Sequence, residues 1–153
     1  MIDMRIKAMF FDRPKVTRAV DRAKRRVLSK AGAFIRQRAR TSIRKRKRTS
    51  RPGEPPSSHA GHLRRLLLFG YDRQRESVVV GPVGFRRSTA PRVLEVGGRT
   101  TVESRRGSLR GGRRKKKRTV RIAARPYMAP AMEKERSNLP KVWRNSIRPR
   151  NGG

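Results

Sequence analysis

The densest chemistry in this chain is carried by its bases. Arg44, Lys45, Arg46, Lys47, Arg48 and Arg51 fall within eight positions, and Arg105, Arg106, Arg110, Arg113, Arg114, Lys115, Lys116, Lys117 and Arg118 within fourteen, with no acid in either run. Arginine outnumbers lysine about three to one, and its planar fork pairs bidentately with phosphate or carboxylate. The chemistry on offer is therefore anion binding. Contact with phosphates would be blind to sequence and steeply salt-dependent. A merely solvated face is the bland alternative, but runs this long with so few acids to compensate them lead us to expect a real anionic partner. Few aromatics lie inside the runs, which argues against base stacking and single-strand recognition. No zinc-finger or RNA-recognition signature appears.

Other candidate chemistries are weak. His59 and His62 are three residues apart, but Arg64 and Arg65 follow them and no third ligand is near in sequence, so an ordinary polar pair at a helix start is the better reading than a metal site. Glu133 and Glu135 fall on nearly opposite sides of a helix beside Lys134 and Arg136. They read as solvated or ion-paired side chains, not as a general acid and base. The glycine stretches VGGRT and RGGRRKKK lack the Lys-Ser/Thr ending of a phosphate-binding loop. No enzyme activity and no cofactor are expected.

The elements that must position the bases are built from little apolar material. The 153 residues carry 44 Lys and Arg against 10 Asp and Glu, a formal net charge of +34. So dense a field repels itself and favours an expanded chain unless a polyanion or an acidic surface lies close by. Ile, Leu, Val and Phe supply about a fifth of the residues, enough for one modest core. There is no cysteine, hence no disulfide framework, thiol nucleophile or thiolate metal site. The apolar stretches are far shorter than the roughly 20 residues of a membrane span, and the N-terminus lacks a signal-peptide core. A soluble, intracellular setting with no membrane contact is expected.

Alternation of Ile2, Met4, Ile6, Ala8 and Phe10 predicts a short strand. Asp12 is a plausible N-cap for a long amphipathic helix over about residues 13 to 45, with Pro14 in its first turn and Val16, Val20, Ala23, Val27, Ala31, Phe34 and Ile43 on its apolar face. Arg44 to Arg51 and the proline-rich stretch after it read as an extended arm over about 44–60. Gly61 opens a helix of two or three turns ending near Gly70. Glu76 to Gly81 reads as a strand closed by Pro82, Arg92 to Val96 as a strand or short helix, and Thr100 to Ser104 as extended chain. A basic hairpin tip over about 105–118 should return as a strand through Thr119 to Ala123. Pro126 and Pro130 lead into a final helix carrying Met132, Leu139, Val142, Trp143 and Ile147, which Pro140 should split or kink. The tail, residues 148–153, carries no structural signal.

Three segments, in this order, resemble the small neck proteins of long-tailed bacteriophages, a family also described as tail-completion or head–tail connector proteins. RPGEPPSSHAGHLRRLLL, Arg51 to Leu68, is similar to that family's Pro-Gly-x-Pro-Pro loop and the Gly-x-Leu-Arg helix start after it; Pro52, Gly53, Pro55, Pro56, Gly61, Leu63 and Arg64 carry the likeness. APRVLEVGG, Ala90 to Gly98, resembles its Glu-Phe-Gly element through Glu95 and Gly97, with Val96 where an aromatic is common. ARPYMAPAMEKE, Ala124 to Glu135, is close to its Ala-Arg-Pro-Phe-Met-x-Pro-Ala lead-in to the last helix, through Arg125, Pro126, Tyr127, Met128 and Pro130. The simplest role for each of these residues is structural: prolines and Gly53 fix a turn and a stiff segment, and Pro126 and Pro130 aim a helix.

The resemblance implies a single α+β domain over residues 1–153, with a long N-terminal helix and a C-terminal helix packed on a small, mostly antiparallel sheet. It also implies a closed homo-oligomeric ring, of six copies, at the head–tail junction of a virion. Adjoining head connector or head-closure proteins and tail tube proteins would be its partners, with double-stranded DNA in the channel facing some of its bases. The rival class is a ribosomal or other RNA-associated protein, which shares the arginine content and basic extensions but has no account of the three ordered segments. A small nucleic-acid-processing enzyme is the third, for which no acidic metal-binding cluster is visible.

Overall fold

Apolar residues four apart draw the chain into one long helix, α1 (Arg13–Ser42), on which the other elements assemble. In this computed structural model residues 13–85, 89–105 and 115–146 are described. The expected first strand, the Asp12 cap, most of the basic tip (106–114), Ile147 and the tail lie outside them. After α1 come α2 (His62–Arg65), β1 (Leu67–Asp72), β2 (Ser77–Pro82), α3 (Ala90–Val96), β3 (Gly98–Arg105), β4 (Lys115–Ile122), α4 (Met128–Arg136) and α5 (Leu139–Ser146). The fold is α+β, as expected. Its antiparallel pairing is divided between two separate hairpins, β1–β2 and β3–β4.

The core is small. Ile35, Ala39 and Ile43 meet Leu67, Tyr127 and Ala131, with Leu63, Val80, Leu94 and Met128 packed around them. α1 takes part on two sides, against the β1–β2 hairpin and against α4 and α5. Gly32 permits the first contact: a Cβ there would lie 2.5 Å from Val78 Cγ2 and 3.0 Å from Phe69 Cδ2, so the hairpin rests on bare helix backbone. The buried stripe steps by four through Val27, Ala31, Ile35, Ala39 and then Ile43. It passes over the expected Phe34, which is exposed, and it does not reach Val16 or Val20, which are 42% and 55% exposed. The hairpin's turn ends at the level of Lys24 and Arg25: Lys24 pairs with Glu76, and the Arg25 guanidinium lies 5.6 Å from the centroid of the Tyr71 ring. Residues 13 to 22 are exposed throughout, about 15 Å of helix beyond that level.

The helix expected from Gly61 to Gly70 is a single turn. Leu66 caps it, and the chain then becomes β1, because alternation takes over: Leu67 is fully buried and Leu68 is exposed. Asp72 Oδ1 accepts from the backbone N–H groups of Gln74 (2.9 Å) and Arg75 (3.2 Å), which turns the chain toward β2. Thus the leucine run forms the first strand of a hairpin whose second strand, Ser77–Pro82, lies where the β-branched run predicts it. Arg92 to Val96 falls within the helix α3, and Thr100 to Ser104 and Thr119 to Ile122 are paired strands.

The last helix is divided as Pro140 requires, with Pro140 the second residue of α5. The junction is held by Glu135, which is 5% exposed. Its Oε1 accepts from Arg38 Nε at 2.7 Å and pairs with Nη2 at 2.6 Å, while Oε2 accepts from Asn138 Nδ2 at 3.1 Å. Hydrogen bonds from Asn138 and then Arg38 hold this carboxyl below its ordinary range, against the opposing effect of burial. A carboxyl lowered in the folded state contributes stability above its ordinary pKa, and that contribution is lost as pH falls through the folded value. Glu135→Gln is expected to cost about 1–3 kcal/mol in urea unfolding at pH 7. The difference from wild type should shrink as pH falls below the ordinary glutamate range of about 4.3 and through the lowered folded value, below which both side chains are neutral.

Candidate polyanion-binding surfaces

The first basic run is stapled to the body. Backbone pairing joins Arg44 to Ser57, with Ser58 N donating to Arg44 O at 3.0 Å, so residues 44–57 close into a loop. Its tip is Arg51-Pro52-Gly53-Glu54, with Gly53 at φ 82, the left-handed position that follows proline in a type II turn. Glu54 N donates to Arg51 O at 3.2 Å. Pro56 is fully buried, and Ser50 and Ser58 are buried with it. The free extended arm expected over about 44–60 is therefore corrected to a folded loop. Two contacts from far along the chain fasten it: Gly53 N donates to Ala124 O at 2.8 Å, and Arg125 Nε donates to Ser50 O at 3.0 Å.

Folding the loop leaves its bases outside. Arg44, Lys45, Arg46, Lys47, Arg48 and Arg51 are all exposed. Arg44 and Arg46 join Arg38 and Lys134 around a cleft of about 620 Å³ walled by Pro55, Tyr127 and Pro130, with Glu54 its acid. On the other side, Arg40, Lys45, Arg64 and Arg65 surround a crevice of about 290 Å³. Residues far apart in sequence thus line two separate basic recesses, each suited to phosphate or carboxylate oxygens.

The second surface is the β3–β4 ribbon. Arg105 lies at the end of β3 and Lys115, Lys116, Lys117 and Arg118 lie in β4; Arg106, Arg110, Arg113 and Arg114 fall outside the described residues. Lys117 and Arg118 are exposed. Sequence reading missed Arg99 and Arg121, which stand directly opposite one another and are both exposed. The signal was the alternation of Arg121 with half-buried Val120 and Ile122.

The remaining singled-out residues meet between these surfaces. The Glu95 carboxylate accepts from the N–H groups at the start of α4: Tyr127 N at 2.9 Å, Met128 N at 3.1 Å and Ala129 N at 2.8 Å. An anion here answers unpaired donors and the positive end of α4 together. Arg125 N donates to Leu94 O at 2.6 Å. Tyr127 is 2% exposed, and burial first and the Glu95 charge second push its phenol up to about 12. Gly97 sits so close to the chain leaving β4 that a Cβ would lie 3.0 Å from Ala124 N. Gly61 precedes α2, Leu63 packs on the core, and Arg64 is exposed. Pro126 is half-buried and Pro130 exposed.

Neither a family model, a curated protein nor a solved structure matches the chain. Among the described residues no group of three or more His, Asp or Glu side chains gathers as metal ligands, and His59 and His62 are both exposed. No helix of the described residues is long and apolar enough to cross a membrane. Glu95→Ala should leave three backbone donors of α4 without an acceptor. It is expected to lower stability by about 2 kcal/mol in urea unfolding, whereas Glu133→Ala, which removes only an exposed pair with Arg136 at 3.7 Å, should change it by less than about 0.5 kcal/mol.

Proposed function

We propose that this chain is a structural virion protein that forms a ring at the head–tail junction of a long-tailed bacteriophage, joining the DNA-filled head connector to the tail. The observation that carries this reading is the meeting of the three resembling segments. The Arg51–Pro56 turn, Glu95 and the Ala124–Pro130 stretch are separated by tens of residues yet share hydrogen bonds around Tyr127. Motifs that fasten to one another in this way behave as parts of one architectural unit.

The surface supports an assembling role. Leu66, Leu68, Val79 and Val83 are exposed on the hairpin face turned away from α1, and Val16 and Val20 form a separate exposed patch on the projecting helix. Two different apolar patches suit a heterologous contact, in which each copy presents one patch to the other patch of its neighbour, and repetition of that contact closes a ring. Six copies would carry about 200 positive charges, which the acidic surfaces of adjoining connector and tail tube proteins would neutralise.

Native mass spectrometry of nuclease-treated protein at high ionic strength tests the reading. A discrete ring, six- or twelvefold, is the expected result; a monomer recovered only with bound RNA would overturn it in favour of an RNA-associated protein. Val16→Gln combined with Val20→Gln should leave the melting temperature within a few degrees, since both positions are exposed, while shifting rings toward single protomers.

A further inference from the structure

The register of the second hairpin opposes like charges. Arg99 faces Arg121 across β3 and β4, and Thr101 faces Thr119 in the next pair on that side. All four are exposed. The other side looks inward: Thr100, Val120 and Ile122 are half-buried, and Thr100 Oγ1 lies 2.9 Å from Thr89 Oγ1, just before α3. The ribbon therefore has a body side and an outward side. Like charges directly opposite one another destabilise a strand pair unless an anion lies over them.

We propose that the outward side of this ribbon lies in the major groove of double-stranded DNA. Its size fits. Two strands about 4.8 Å apart, dressed with side chains, enter a groove about 12 Å wide, and eight residues of strand run about 27 Å along it. Its chemistry fits as well. Arg99 and Arg121, on the outward side near the body end of the ribbon, can reach the O6 and N7 acceptors of guanine. Exposed Lys117, farther along the same side and opposite Glu103 in the register, brings a further base toward the phosphates, while Arg118 belongs to the other side. Thr101 and Thr119 add hydroxyl donors and methyl groups of a size to meet thymine. The major groove of double-stranded RNA is too deep and narrow to admit a ribbon, so the ligand is duplex DNA. This inference does not require a ring: a chain that stays monomeric and still binds DNA in this way would sink the junction reading and leave this one standing.

Dimethyl sulfate footprinting tests it, since the reagent methylates guanine N7 in the major groove and adenine N3 in the minor groove. With the full, nuclease-treated chain on a 24-base-pair duplex of mixed sequence, protection of guanine N7 without protection of adenine N3 is expected. Arg99→Gln with Arg121→Gln should weaken binding at least about tenfold and remove the N7 protection while leaving the slope of log affinity against log salt nearly unchanged, because these side chains meet bases and not phosphates. Arg64→Gln with Arg65→Gln removes equal charge from the exposed α2 surface and should keep the N7 protection. Arg99→Lys with Arg121→Lys should retain the salt slope, bind more weakly than wild type and reduce the N7 protection without abolishing it, because ammonium keeps the charge and a donor but not the planar fork. Equal loss from both Gln pairs, protection confined to adenine N3, or competition by double-stranded RNA as effective as that by DNA would each overturn the proposal.

Discussion

Mutual repulsion among 44 bases is the constraint that every part of this fold must satisfy, and ten acids are all the chain has to oppose it. Where those acids lie explains the architecture. Glu76 joins the β1–β2 turn to α1 through Lys24, and Asp72 shapes that turn. Glu54 closes the tip of the folded loop, where its carboxylate also lies 3.4 Å from Arg51 N. Glu95 caps α4, and Glu135 ties α4 to α1 through Arg38 and to the head of α5 through Asn138. Asp72 and Glu54 hold turns, while Glu76, Glu95 and Glu135 join separate segments, two of them across more than 50 positions. A carboxylate that accepts several N–H bonds contributes more than one in an exposed surface pair, so a few well-placed acids do what many surface pairs could not.

That arrangement leaves the bases facing outward. The loop over 44–57, the crevice around Arg64 and the β3–β4 ribbon are all basic surfaces with the structural acids turned inward or into turns. The folded state is then linked to its surroundings. Salt shortens the range of the repulsion, and a polyanion that binds the compact state in preference to the expanded one stabilises it by mass action. A protein with so small a core depends on this linkage more than one with a large core does.

The elements with strong local signals were legible from residue types alone. β-branched Ser77–Pro82, the proline break before α5 and the paired strands either side of the basic tip follow from propensity and turn chemistry. What was not legible depended on partners far away in sequence. Four consecutive apolar residues, Leu66 to Phe69, satisfy a helix period as well as a strand period; only the arrival of β2 decides for the strand. Glu135 beside Lys134 and Arg136 reads as solvated or ion-paired; it is ion-paired, but with Arg38, 97 positions earlier, and that partner, with the burial it brings, was not legible. The same holds at the site: the bases of the first run were visible, but their closure into a loop rests on Ala124 and Arg125. The Arg99 and Arg121 pairing needed the strand register, which residue types alone do not supply.

The exposed apolar patches of this protein differ in how closely bases surround them, and the difference bears on what can cover them. An apolar patch associates with another copy only if like charges are kept away from the contact, since repulsion at close range would cancel the gain from burial. The outer face of the β1–β2 hairpin meets that condition: Leu66, Leu68, Val79 and Val83 are grouped with Gly70 and Gly81, while Arg73 and Arg75 are confined to the turn. The projecting end of α1 meets it less well, because Arg13, Arg18 and Arg22 share the same turns as Val16 and Val20. A partner for that end has to offer both an apolar surface and acids beside it. The hairpin face supplies the first, but the acids of its turn are already engaged, Asp72 with the backbone of Gln74 and Arg75 and Glu76 with Lys24, and Arg73 and Arg75 lie beside them. The hairpin face thus meets the apolar requirement alone, and the two patches ask different things of whatever covers them: one a neutral apolar surface, the other an apolar surface edged with acids.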